Sequence, residues 1–197
     1  TYTYSWAPSG GTGSSATGLA AGTYTVTVSS PAGCTATQTY TITAPPALTS
    51  TGSQTNVLCN GGSTGSASVS VSGGVGPYTY LWTPSGGTGA TATGLTATSY
   101  TVTFTDANGC TGTRTFTITQ PPALSATTSF TQATCNMSNG SASVSVSGGV
   151  GPYTYLWAPS GGTAATATRL AANTYTVTYT DANGCSAQAS TTVSEPP

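Results

Sequence analysis

The chain has 197 residues, of which only two are basic and three acidic; it has no histidine and a formal charge of −1. Acid–base catalysis needs titratable groups in pairs, metal sites need clustered His or carboxylate ligands, and phosphate binding needs a basic face. The composition supplies none of these, so the expectation is a protein that is no enzyme, with no cofactor, no metal and no nucleic-acid partner. Thr, Ser, Gly, Ala, Val and Tyr dominate instead, in a spacing too regular for a disordered polar tract. No apolar run approaches the roughly 18 residues that span a membrane.

Self-similarity is the strongest signal. Trp6, Trp82 and Trp157 recur in step with Cys34, Cys110 and Cys185, and with the Pro pairs 45–46, 121–122 and 196–197. Gly65 to Trp82 (GSASVSVSGGVGPYTYLW) returns unchanged from Gly140 to Trp157. Thr1 aligns with Pro77, so the first repeat, 1–46, lacks the counterpart of residues 47–76, and the chain reads as a window cut from a longer protein. Residues 47–122 and 123–197 each hold a complete repeat. The Pro pairs mark the junctions, since proline stops strand pairing and stiffens a link.

Taken in chain order, the second repeat opens with a strand around Thr51–Leu58. Ala67, Val69 and Val71 then alternate with Ser, and Tyr78, Tyr80 and Trp82 with Thr79 and Leu81. A short strand is predicted near Ala90–Thr93. Tyr100, Val102 and Phe104 follow, then Phe116 and Ile118, all alternating with Thr. Period-two patterns of this kind predict strands with one face inward, about seven per repeat. Gly73-Gly74, Gly76-Pro77, Gly86-Gly87 and Asn108-Gly109 supply turns. The predicted fold is all-β: tandem immunoglobulin-like (PKD-like) β-sandwiches, head to tail. In that layout Trp82 lies on the third strand, and Tyr100, at the start of the sixth, is a tyrosine corner; Trp157 and Tyr175 are their counterparts. Core packing is the simpler reading of these aromatics, and a sugar-stacking platform would need them exposed.

The strings CNGGSTGSASVSVSGGVGPYTYLW, GLTATSYTVTFTDANGC and TFTITQPP resemble the SprB-type repeats of Bacteroidota surface proteins, and the resemblance runs through essentially the whole chain. It implies an immunoglobulin- or PKD-like sandwich, export to the cell surface, and a role in adhesion, gliding or extracellular filaments.

Five Cys in a charge-poor repeat protein suggest an oxidising compartment. Two pairings stay open. Within repeats, Cys59 would join Cys110 and Cys135 would join Cys185, each closing a loop of about fifty residues worth ~4 kcal/mol. In an immunoglobulin-like sandwich, however, these turns are expected at opposite ends, which could hold the Cα atoms farther apart than the roughly 7 Å that a disulfide tolerates. Cys59 could instead reach Cys185 across the junction and staple neighbouring repeats.

Asp106 and Asp181, in matching Asp-Ala-Asn-Gly turns, read as turn caps rather than calcium ligands, because each repeat offers one carboxylate where calcium wants several. Arg114 and Arg169 read as solitary, solvated side chains. Thr101, Thr103, Thr105, Thr113, Thr115 and Thr117 form hydroxyl rows, read either as strand-favouring surface or as O-glycosylation sites. Asn136 and Asn139 begin N-glycosylation sequons. The function expected is a structural segment of an extracellular bacterial surface fibre or adhesin stalk, with multivalent carbohydrate-binding modules as the alternative. Its expected partners are other copies or repeats of the same protein, and glycans.

Overall fold

The computed structural model describes residues 1–196; Pro197, the end of the third repeat and of the last Pro pair, lies outside the described residues. All regular structure in the described residues is β-strand. The first repeat supplies β1 (Thr3–Ala7), β2 (Gly22–Ser29) and β3 (Thr35–Ile42). The second supplies β4 (Thr49–Thr55), β5 (Gly65–Ser72), β6 (Thr79–Thr83), β7 (Thr91–Leu95), β8 (Ser99–Thr105) and β9 (Thr111–Thr117). The third repeats this set as β10 (Ser125–Thr131), β11 (Gly140–Ser147), β12 (Thr154–Ala158), β13 (Thr166–Leu170), β14 (Asn173–Thr180) and β15 (Ser186–Val193).

Each complete repeat is two antiparallel three-stranded sheets, β4-β5-β7 against β6-β8-β9, and β10-β11-β13 against β12-β14-β15. This is an immunoglobulin-like sandwich, used twice in tandem. The alternation along each strand explains it: on β8, Tyr100, Val102 and Phe104 point inward and are buried, while Thr101, Thr103 and Thr105 face out. Each sandwich closes its own core, one around Trp82 and Val102, the other around Trp157 and Val177.

Among the described residues each complete repeat has six strands, where about seven were expected. The stretch after β6, Pro84 to Ala90, folds back beneath Trp82 as a turn: the Trp82 amide donates to Gly87 O at 3.2 Å and the indole N–H to Gly89 O at 2.8 Å. Tyr100 accordingly begins the fifth strand, not the sixth. Its hydroxyl meets the amide and the hydroxyl of Thr96, both at 3.2 Å. Tyr24 and Tyr175 also tie to the backbone four residues earlier, but as donors, to Ala20 O and Ala171 O.

In the first repeat β1-β2-β3 stands as a sheet without a facing one. Residues 15–19 (SATGL), counterparts of β7, form no strand, because the β5-type strand that would pair with them is missing.

A bulge in the β5–β7 ladder shows how local backbone and sequence can disagree. Gly65 pairs with Leu95 but Ser66 with Thr93, leaving Gly94 as the extra residue at φ 69°. The third repeat has the same bulge, but the extra residue is Arg169, held at φ 61° and exposed. A side chain in the left-handed region costs about 1–2 kcal/mol, and the exposed Arg side chain offsets little of it. Arg169→Gly is therefore expected to stabilise the third repeat by about 1 kcal/mol in denaturant unfolding.

Candidate functional site at the junction between repeats

The chemistry of this chain concentrates where one sandwich meets the next. Two loops build each junction on the later repeat: the double-glycine turn after β5 or β11, and the Asp-Ala-Asn-Gly-Cys turn after β8 or β14. In the third repeat the Asp181 carboxylate sits between them. Its Oδ1 accepts the amides of Asn183 and Cys185, both at 2.9 Å, and its Oδ2 accepts the Val150 amide at 3.0 Å. Asp106 does the same with Asn108, Cys110 and Val75. Both carboxylates are buried, and each accepts three backbone amides.

These bonds hold the ionised form. The Val75 amide is the largest influence on Asp106 and, with those of Cys110 and Asn108, overcomes burial to hold its pKa below the ordinary 3.8. At Asp181 burial is the largest single influence and pushes upward, yet the amides of Cys185, Val150 and Asn183 together prevail and the pKa is again lowered. A carboxylate depressed in the fold stabilises it above the unfolded value and loses that contribution as pH falls through the lower folded value. Thermal melts should therefore be flat from neutrality down to about pH 4 and fall below it. Asp106→Asn with Asp181→Asn should lower the neutral melting temperature and flatten the acid decline.

The linker threads onto this platform. Gly149 N–H donates to Pro122 O at 2.8 Å, and Gly74 N–H to Pro46 O at 2.7 Å in the earlier junction. Glycine is required here for space: a Cβ on Gly148 would lie 2.0 Å from Ala123 O, and one on Gly73 the same from Ala47 O.

The preceding repeat contributes its β4–β5 turn. Val57 N–H donates to Thr119 O, Asn60 Nδ2 to Pro121 O, and Gly61 N–H to Gln120 Oε1, so the turn lies along the linker that leaves its own repeat. That places Cys59 over the next sandwich. Cys59 is bonded to Cys185, with Cα atoms 5.7 Å apart, and Asn183 Nδ2 donates to Leu58 O beside the bridge at 2.9 Å. The within-repeat pairs Cys59–Cys110 and Cys135–Cys185 are not formed. The β4–β5 turn lies at the end of its repeat that leads onward, and the β8–β9 turn carrying Cys110 at the other end, beside Pro46. Cys34, Cys110 and Cys135 are free and exposed.

The remaining sequence candidates distribute as follows. Trp82 and Trp157 are each 3 % exposed, with the indole N–H groups bonded to Gly89 O and Ala164 O, which leaves no ring face for a sugar to stack on. Tyr100 and Tyr175 are likewise buried. Thr113, Thr115 and Thr117 stand exposed along the edge strand β9, whereas Thr101, Thr103 and Thr105 on central β8 are half-buried. Thr101 shares a hydroxyl hydrogen bond with Thr115 at 3.0 Å. Asn136 is exposed, at φ 55°; Asn139 is also exposed, but its amide is engaged at both ends by Thr134.

Arg114 departs from the solvated reading. It lies on the inward face of β9, stacks 5.6 Å over the Phe116 ring and donates to Ser50 O of β4 at 2.9 Å, closing the edge between the sheets. Alternation along β9 places it inward, and that signal was available in the sequence.

A family model matches two stretches of the chain. The SprB repeat model matches residues 51–87 and 127–162. SprB repeats are thus matched at two places in the chain. The matched segments hold the first cysteine of each complete SprB repeat and its buried Trp, and stop short of the turn that carries Cys110 or Cys185. No curated protein matches the chain. Among solved structures it is similar to the N-terminal eight Ig domains of Down Syndrome Cell Adhesion Molecule isoform 1.30.30, at 14 % identity and TM-score 0.45, over 89 % of this chain and 28 % of that one. It is also similar to domains 1–6 of the surface layer protein SbsC, at 10 % identity and TM-score 0.28, over 100 % of this chain and 50 % of that one. The chain thus spans at most half of these structures.

Proposed function

We propose that this chain is a structural segment of an extracellular bacterial surface fibre or adhesin stalk, in which sandwich repeats are locked end to end. The observation that carries the reading is the covalent bond between successive repeats. Proline links alone set a spacing, whereas a disulfide with flanking hydrogen bonds at the same junction resists bending and axial pull. Such a bond also suits an oxidising, extracellular setting. Nothing in the reading calls for catalysis, a cofactor or a nucleic acid. Other repeats of the same kind are its partners.

The exposed hydroxyls of Thr113, Thr115 and Thr117, with the Asn136 sequon, supply attachment points for glycans. Glycosylation would give a nearly uncharged surface the solubility that ionised groups normally provide. An intact mass well above the 19.2 kDa of the bare chain supports this part of the reading, and a mass equal to it removes it. For the stalk itself, electron microscopy of native material should show a narrow rod with an axial repeat near one sandwich length. Compact particles would contradict it.

A further inference from the structure

The junction bridge changes which part of the chain lies under tension when the repeats are pulled along their axis. β4 runs from the entry end of the second repeat, where Pro46 O takes the Gly74 amide, towards the exit end, where Val57 N–H donates to Thr119 O. Cys59 follows it, in the turn that docks on the third repeat. Cys185 directly precedes β15, which runs from the junction to the far end of the third repeat, where Ser194 O takes the Ala133 amide. Two covalent routes therefore join Cys59 to Cys185. One is the disulfide, with its Cα atoms 5.7 Å apart; the other is residues 60–184, which hold β5 to β14 and the linker. Tension settles on the shorter route.

Without the bridge the load would follow a weaker path. It would enter each repeat on its first strand and leave on its last, and these belong to facing sheets rather than to one ladder. In the second repeat the seam between β4 and β9 is crossed by side chains: Arg114 donates to Ser50 O at 2.9 Å, and Gln54 Nε2 to Thr117 O. In the third repeat Thr128 Oγ1 reaches Ser190 O at 3.5 Å, and Gln132 Nε2 the Ser194 hydroxyl at 3.3 Å. Axial pull would slide the two sheets past each other against these contacts.

We propose that β4, the Cys59–Cys185 bond and β15 form a continuous tie that carries axial load past both sandwich bodies, so that the oxidised pair of repeats is close to inextensible. Each of the two strands is then pulled from both of its own ends, which puts no shear on the β4–β5 and β14–β15 ladders. A strand also has little length to give, since it rises about 3.3 Å per residue against a ceiling of about 3.5 Å in a stretched chain. Cys185 is held in line by its own amide, which donates to the Asp181 carboxylate at 2.9 Å. Residues 60–184 fold and present their outer faces without bearing tension.

The inference deepens the stalk reading and rests on it for its use, yet the two fail separately, because a force measurement on the isolated chain does not depend on the form of the native material. The full chain, with the bridge confirmed by peptide mapping and the three free thiols alkylated, is pulled in optical tweezers through cysteine-free tags at its termini. With the bridge intact, the two complete repeats should give no unfolding step. After dithiothreitol they should give two steps of about 200 Å each. The final length should then exceed that of the oxidised chain by about 430 Å, the stretched length of the 126-residue separation. The first repeat lies outside the closed loop and adds the same length in both states. The final length also reads the same whether or not the reduced repeats stay folded. Oxidised Trp82→Ala separates a covalent tie from simple stability: its core is weakened, yet it should still give no long step. Long steps from the two complete repeats of the oxidised chain, native or Trp82→Ala, or equal final lengths before and after reduction, would overturn the tie.

Discussion

Removing the junction disulfide, by Cys59→Ser, Cys185→Ser or reduction, should be the most destabilising change available to the two complete repeats. The bond joins residues 126 apart, and closing a loop of that size restricts the unfolded chain by about 5 kcal/mol at 25 °C on the chain-entropy model. The effect should also have a characteristic form. Each sandwich has its own core, so the reduced protein should unfold in two transitions, one per repeat. The oxidised protein should unfold at higher temperature, with the transitions drawn together, because either repeat must unfold within a closed loop. Differential scanning calorimetry with and without reductant reads both features. An unchanged thermogram would mean that the bridge carries no load.

Trp82→Ala and Trp157→Ala should come next, at about 3–5 kcal/mol each. Each indole is almost wholly buried and holds the turn beneath it through its N–H, at 2.8 Å to Gly89 O and 3.0 Å to Ala164 O. Trp82 also sits 5.6 Å from the Phe116 ring, a contact that Trp157 lacks because residue 191 is Thr. Trp82→Ala should therefore be the costlier of the pair. A sandwich of this size is stable by only about 5–15 kcal/mol, so either variant should leave one repeat largely unfolded or near its midpoint while the other stays folded. The same variants separate the stalk from a carbohydrate-binding module. A full loss of glycan retention at an unchanged melting temperature would support a sugar platform. A large drop in melting temperature is what a core residue gives.

Much of the sandwich was readable because alternation states which side of a strand faces inward. Tyr100, Val102 and Phe104 on β8, and their partners on β14, lie buried where the period-two pattern puts them. The same rule applied to β9 would have turned Arg114 inward over Phe116, but charge suggested solvent instead. Strand count was less legible. Gly86-Gly87 did mark a turn, as found, but its tuck beneath Trp82 depends on backbone acceptors at Gly87 and Gly89 that composition does not reveal.

The junction was the hardest part to read. Both disulfide pairings were compatible with the spacing of the Cys residues. Which one forms depends on where the end of one sandwich lands on the next. That is set by the Pro122 carbonyl on Gly149, by the space kept open at Gly148, and by Asn60 and Gly61 on the outgoing linker. None of these contacts leaves a periodic trace. The left-handed bulge at Arg169 was hidden for a related reason. Only alignment with Gly94 and Gly18, both at positive φ, shows that the position belongs to glycine.

The central claim is that successive repeats are covalently locked through Cys59 and Cys185. Native, never-reduced material, alkylated and digested without reductant, tests it most directly by mass spectrometry. A peptide pair linking Cys59 to Cys185 is the predicted result. A pair linking Cys59 to Cys110, or both Cys59 and Cys185 recovered as alkylated thiols, would contradict it.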